Sequence, residues 1–327
     1  MKTSEKIIDY IKSHGQTTTV ELVDYLNLTD RAIRKQLKAL SDAGHIVKAG
    51  RPPRVYYSLT STNPRISPSP TDAGVSPETS ERIEKDFFYI SPRGEILAGW
   101  NGFVYWCQER TLSVAKMSAQ YQRVANEYDK YKKYGLIDGM PKMKATFEVV
   151  YLDKLFYVDF YSLEIFGKTK LGQQLLYAKQ SQDRRLMNEL TDSIKPSILK
   201  VISEYRINAV GFIPPTVKRE LQLMKQIQNR LNLSTRVLSL SKLKTPVAVP
   251  QKTLNKLSDR IVNARETIMV DDNSRYQNIL LIDDAVGSGS TLNETAKKIK
   301  QKNLCDGQII GLAVTGSFKG FDVISEV

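Results

Sequence analysis

Two adjacent carboxylates, Asp283 and Asp284, stand between the apolar run Leu280-Leu281-Ile282 and a string of small residues, Ala285-Val286-Gly287-Ser288-Gly289-Ser290-Thr291. Asn278 to Ile282 reads as a buried parallel strand, because it is a short apolar run between turn signals. That places the two acids at the carboxyl end of the strand, where open α/β sheets bind their ligands. The glycines at 287 and 289 let backbone N–H groups approach a phosphate closely. Thr291 or Ser290 then opens a helix over Leu292–Lys300, whose N-terminus favours an anion. Carboxylates suited to a sugar diol beside a loop suited to a phosphate describe a ribose 5-phosphate site.

Other elements must hold that site. Ile207 to Ile213 reads as a first core strand ending at Pro214-Pro215-Thr216, followed by Lys218 and Arg219. An amphipathic helix over Glu220–Leu231 and a strand over Thr235–Leu240 complete a βαβ unit. Lys242, Lys244, Pro250, Gln251, Arg260 and Asn263 lie between this unit and the acid pair. Ser241 to Leu254 has the prolines and polar residues of a lid.

The stretch from Leu280 to Leu292 resembles the signature of type I phosphoribosyltransferases: apolar strand, two acids, two small or apolar residues, then a small-residue loop closing in Thr. The resemblance implies a Rossmann-like α/β domain with a parallel sheet. It assigns Asp283 and Asp284 to the ribose hydroxyls of phosphoribosyl pyrophosphate (PRPP), and Gly287, Ser288, Gly289, Ser290 and Thr291 to its 5-phosphate. Mg²⁺ would bridge pyrophosphate and sugar hydroxyls, so that the acids meet it indirectly through the substrate. Lys218 and Arg219 stand where the family has a loop that meets pyrophosphate, and Lys242 and Lys244 offer further countercharge or a solvated basic surface. Gln251 and Arg260, further pyrophosphate or lid candidates, resemble with Asn263 the branch related to the competence protein ComF. Residues 149–185 would then form that branch's earlier portion, including Tyr161 and the stretch Lys179 to Arg185.

Two departures stand out. ComF relatives usually carry a Cys-rich zinc module, whereas this chain has two cysteines, Cys107 and Cys305, and two histidines, His14 and His45. Those cannot supply four tetrahedral ligands at zinc-finger spacing, so no zinc is expected. Several base-salvage relatives place an acid at the first loop position to assist proton transfer; Gly287 has no side chain to do so.

Residues 1–60 read as a winged helix-turn-helix. Ile7, Ile8 and Ile11 give one apolar face, and Val20, Leu22, Val23 and Leu26 a second. Thr29 caps a third helix with Ile33, Leu37 and Leu40 along one stripe, and Gly44 ends it. Strands at 45–48 and 55–59 flank a basic tip, making the wing. Arg31, Arg34, Lys35 and Lys38 leave the apolar stripe and suit a major groove, while Arg51 and Arg54 suit backbone phosphates or a minor groove. The pattern resembles bacterial winged-helix regulators, in which the module binds DNA or serves protein interaction.

Residues 61–80, rich in Pro, Ser and Thr, read as a flexible linker. Residues 81–145 form an intermediate segment: strands at 87–90 and 96–98, a buried apolar run at 102–107, and a long polar helix over 110–133. Tyr121, Tyr128 and Tyr131 on that helix suit either base stacking or one packed face. Residues 146–327 form the transferase-like domain, with a hairpin or edge strands over 147–160.

The chain has 327 residues and a formal net charge of +13, with a pI near 9.5. Both favour a polyanionic partner, a nucleic acid, or reflect a lysine-rich genome. No apolar run reaches transmembrane length and the start lacks a signal peptide's apolar core, so a cytoplasmic protein away from membranes is expected; an oligomer is compatible with the sequence. A winged helix followed by a phosphoribosyltransferase-like domain resembles the ribosyltransferase/DNA-binding effectors of bacterial retron anti-phage systems. That resemblance implies a reverse transcriptase and its noncoding RNA or DNA product as partners. The same domain order occurs in Gram-positive purine repressors, which sense PRPP without turnover. A ComF-like metabolic or competence transferase with a dimerising winged helix is the third reading.

Overall fold

The computed structural model describes residues 2–59, 68–71 and 73–317. The chain divides into two compact units, Met1–Ser67 and Pro68–Val327.

In the first unit, helices α1 (Thr3–His14), α2 (Thr19–Leu26) and α3 (Asp30–Asp42) precede the wing strands β2 (Ile46–Arg51) and β3 (Arg54–Leu59). A short β1 (Gln16–Thr17) pairs antiparallel with β3, which pairs with β2. Helix starts follow the sequence: Thr18 and Glu21 form a reciprocal cap on α2, and the Thr29 hydroxyl accepts from the Ala32 N–H at 3.3 Å on α3. Asn27, in the left-handed region at φ 50°, ends α2 and sets the turn into α3. Ile7, Ile11, Leu22, Ile33, Leu37, Leu40 and Ile46 fill the core between the helices and the wing.

The second unit begins earlier than the sequence suggests. Ala73 and Val75 pack on its core, and Ser76 caps α4 (Pro77–Asp86), on which Thr79 and Ile83 are buried. So the ordered fold reaches into the segment read as linker over 61–80; residues 60–67 and 72 lie outside the described residues. The intermediate segment over 81–145 belongs to the same unit. Strands β4 (Phe88–Ile90) and β5 (Ile96–Ala98) make the expected hairpin. The apolar run at 102–107 is buried as expected, in a helix, α5 (Gly99–Glu109). Helix α6 (Val114–Asp129) buries Tyr121 and Tyr128, whereas Tyr131 is exposed. Of the two readings of that aromatic series, packing is the one realised by its first two members.

Strands β6 (Lys132–Lys133) and β7 (Leu136–Asp138), helix α7 (Met140–Thr146) and strand β8 (Lys154–Phe160) follow. A small hairpin, β9 (Ser162–Leu163) and β10 (Gly167–Lys168), leads to helices α8 (Lys170–Ser181) and α9 (Arg184–Glu204). Then come β11 (Ala209–Phe212), α10 (Leu223–Leu231), β12 (Arg236–Val237) and β13 (Leu240–Lys242). The chain continues through α11 (Leu257–Thr267), β14 (Ile268–Val270), β15 (Ile279–Val286), α12 (Ser290–Gln301) and β16 (Ile309–Gly316).

The central sheet has seven strands in the order β12-β11-β15-β16-β8-β7-β6. The five from β12 to β8 run parallel; β7 and β6 add an antiparallel edge. This corrects the expectation for 147–160: β8 is an interior strand, flanked by β16 and β7, and makes no hairpin of its own. Leu155 and Tyr157 on β8 face one side, with Leu281, Ala313, Leu292 and Ala296. Val210, Leu280, Ile282 and Leu312 face the other, against α8, α9 and α10. Helices therefore cover both faces, which explains why the parallel strands are apolar almost throughout.

The order of connections places the crevice. From β11 the chain crosses through α10 to β12 on one side; from β15 it crosses through α12 to β16 on the other. The direction of winding reverses between β11 and β15. Ligands of open α/β sheets bind outside the strand ends at such a reversal.

Candidate functional site

A cavity of about 190 Å³ opens at the carboxyl ends of β11 and β15. Its lining combines Asp283, Asp284 and the loop Gly287 to Thr291 with Pro214, Pro215, Thr216, Arg219, Lys242, Gln251 and Arg260. Lys218 and Lys244 are exposed and do not line it. Of the six pyrophosphate or lid candidates, Arg219, Lys242, Gln251 and Arg260 line the same cavity as the acid pair.

The acids sit within the last residues of β15, which runs on to Val286. Successive strand residues face opposite sides of a sheet, so the two carboxylates diverge. Asp284 points toward the side of α8, where Lys179 Nζ lies 2.5 Å from its Oδ2. Asp283 turns to the other side; its Oδ1 accepts the Asp284 N–H at 2.8 Å. Lys242, from β13, donates to Thr216 Oγ1 at 2.6 Å and acts on Asp283 through charge. Burial, then the neighbouring Asp284 carboxylate, push the Asp283 carboxyl up to about 7. Burial also lowers the Lys242 ammonium, and Asp283 opposes that.

The small-residue loop is shaped by two features. Gly289 is the N-cap of α12 at φ 86°, a region that costs other residues about 1–2 kcal/mol, and a Cβ there would collide with the Met143 thioether. Ser288 Oγ meets Ser290 Oγ at 2.9 Å and accepts the Ser290 N–H at 3.3 Å. Helix α12 starts at Ser290, two residues before the start expected from sequence. Among the described residues, no hydrogen bond engages the N–H groups of Gly287, Ser288 or Gly289. Unpaired N–H groups at a helix N-terminus are the kind of donor that suits an anion.

Gln251 and Arg260 play connected parts. Gln251 Nε2 donates to the Arg260 carbonyl at 3.0 Å and to Asn263 Oδ1 at 3.1 Å. Arg260 Nε donates to the Leu254 carbonyl at 2.8 Å. These bonds tie the far end of the segment Ser241 to Leu254 onto α11. Arg260 is almost fully buried, and its Nη1 would stand 3.6 Å from a Cβ at Gly287.

Lys179 as the partner of Asp284 escaped the sequence reading, which noted it only within the stretch Lys179 to Arg185 ahead of the first core strand. A separation of 105 residues divides the two, and no local pattern joins α8 to the end of β15. Lys252 also lines the cavity, and Met143 buttresses the loop.

In the first unit, Arg31, Arg34, Lys35 and Lys38 are all exposed on α3, opposite Ile33, Leu37 and Leu40. Arg34 Nε pairs with Asp30 Oδ2 at 2.6 Å. Arg51 and Arg54 close the wing strands at their facing ends; their side chains lie outside the described set.

A helix-turn-helix with a wing and a basic third helix defines a nucleic-acid-binding module. Residues 4–50 match a family profile described as a DeoR-like helix-turn-helix domain. The chain thus joins a DNA-binding winged helix-turn-helix to an α/β unit with a mostly parallel seven-stranded sheet. No curated protein matches the chain. Among the described residues, no helix is long and apolar enough to cross a membrane.

Proposed function

We propose that the second unit binds a ribosyl phosphate of the PRPP type and transfers its (phospho)ribosyl group to an acceptor, while the first unit binds DNA. The observation that carries this reading is the shared cavity of the Asp283–Asp284 pair and the Gly287 to Thr291 loop, at the winding reversal of the sheet. The carboxylates accept from the ribose hydroxyls; the N–H groups of the loop and of the first turn of α12 hold the 5-phosphate. Arg219 and Lys242 face the growing negative charge on the departing pyrophosphate, and preorganised charge of that kind is a large catalytic term. The two carboxylates offer the hard oxygen donors that suit Mg²⁺ held mainly by substrate oxygens, and the ion would add countercharge on the leaving group.

Domain order extends the reading to the whole chain. A DNA reader joined to such a site has the arrangement of a ribosyltransferase/DNA-binding effector of the retron type, with a reverse transcriptase and its nucleic-acid product as partners. PRPP labelled in its ribose, incubated with Mg²⁺, nucleotides and DNA, tests the chemistry: transfer of label supports the enzyme, and its absence despite binding rejects turnover. A second reading, a PRPP-sensing regulator, is favoured by the DeoR-like module and by the lack of a side chain at Gly287. It requires that PRPP bind, stay intact and change DNA affinity.

A further inference from the structure

Lys179 and Asp284 both line the cavity, and their side chains keep 17% and 19% of their surface exposed. The pair is thus partly withdrawn from water yet open to what enters the cavity. Its two groups are chemical opposites: a carboxylate only accepts hydrogen bonds and an ammonium only donates, whereas a hydroxyl does both. A sugar hydroxyl that donates to Asp284 still has lone pairs to satisfy, and leaving them bare in a partly desolvated site costs binding. Lys179 can supply that donor. Of the three N–H groups of its ammonium Asp284 takes one, and among the described residues no second acceptor engages it. Asp283 lacks such a companion. Its Oδ1 accepts the Asp284 N–H, Lys242 Nζ is bonded to Thr216 Oγ1, and among the described residues no cationic side chain is hydrogen-bonded to Asp283. The two acids are therefore unequal readers of a diol.

We propose, resting on the ribosyl-phosphate reading above, that Lys179 binds the sugar directly. The ribose hydroxyl that donates to Asp284 accepts from the Lys179 ammonium, while the hydroxyl at Asp283 is held by a carboxylate alone. One hydroxyl is then read through two charge-assisted hydrogen bonds and its neighbour through one. Lys179 is therefore a specificity-determining residue for the sugar, and it makes the site reject the loss of one hydroxyl more strongly than the loss of the other.

Calorimetry with Mg²⁺ on the full chain tests this by comparing PRPP with its 2-deoxy and 3-deoxy analogues, in the wild type and in Lys179→Met. For one analogue, the loss of affinity relative to PRPP should be about a hundredfold in the wild type and about tenfold in K179M, since each charge-assisted hydrogen bond is on the scale of tenfold. For the other analogue, the loss should agree within about threefold between the two proteins. A general loosening of the site would move both losses together. Lys179→Gln, which keeps an N–H donor without the charge, should fall between the wild type and K179M, and it carries the comparison should K179M unfold. Losses that these variants leave unchanged for both analogues, or shift alike for both, would overturn the inference. Failure of the wild-type chain to bind PRPP at all would instead reject the ribosyl-phosphate reading beneath it.

Discussion

Lys179 Nζ lies 2.5 Å from Asp284 Oδ2, across 105 residues of chain, and joins helix α8 to the end of the central strand β15. The neighbouring Asp283 stands at the next strand position, on the opposite side of the sheet, and its Oδ1 accepts the Asp284 N–H. Lys179 thus pairs with Asp284 and also acts by charge on Asp283, with a smaller contribution from Lys242. The pairing holds Asp284, while burial and the Asp284 charge raise the Asp283 carboxyl, which eases the mutual repulsion of the two acids.

Lys179→Met leaves Asp284 half-buried without its cation. The expected cost is about 2 kcal/mol, the scale of a lost charged hydrogen bond, or a fall in Tm of about 5 °C. Thermal unfolding of K179M, D284N and the double variant measures the coupling; the double variant should recover part of the loss. Strict additivity would show the pair to be without energetic consequence.

On the proposed ribosyl-phosphate reading, the Asp283 carboxyl, pushed up to about 7 by burial and by Asp284, predicts a pH dependence of PRPP binding with a definite sign. Below that pH Asp283 carries a proton and cannot accept from both sugar hydroxyls; above it the carboxylate is free to do so. Affinity should therefore rise about tenfold between pH 6 and pH 8, following the ionised fraction of one group. Calorimetry across that range checks it, and the residual affinity of Asp283→Asn should lack this component.

Gly289→Ala places a Cβ at φ 86° and into the Met143 thioether. The left-handed backbone alone costs about 1–2 kcal/mol, and the collision displaces the loop. Weaker phosphate binding with a lowered Tm is expected. Combining G289A with Met143→Ala should relieve the collision and leave the backbone cost. Full recovery in that double variant would show that the loop needs no left-handed residue.

How far the site was legible depends on how local its parts are. Strand, acids, loop and helix run consecutively from Ile279 to Gln301, so period and residue type sufficed. Lys179, Met143 and the guanidinium of Arg260 reach the same place through packing, which a linear pattern does not encode. Lys218 and Lys244 looked equivalent to Arg219 and Lys242, because a basic residue in a loop carries no mark of the direction it faces. In the segment over 102–107 burial was readable but helix type was not, since short apolar runs fit either period. The alternation in β8, with Asp159 near its end, suggested an edge; β7 and β6 cover that side instead.

On α3, Arg31, Lys35 and Lys38 are exposed beside Arg34, which is engaged by Asp30. Replacing Arg31, Lys35 and Lys38 by Ala should weaken DNA binding and reduce the salt slope by about one for each phosphate no longer neutralised. Fluorescence anisotropy over a salt series reads both. An unchanged slope would exclude the third helix from binding the DNA backbone.

Binding of PRPP with Mg²⁺, measured by calorimetry on the full chain and on D283N/D284N, tests the central claim most directly. A one-to-one isotherm for the wild type, weakened by about a hundredfold or more in a variant that remains folded, is the predicted result, on the scale of two or more charge-assisted hydrogen bonds. A wild-type chain indifferent to PRPP, or a variant that binds it equally well, would contradict a ribosyl-phosphate site at the end of β15.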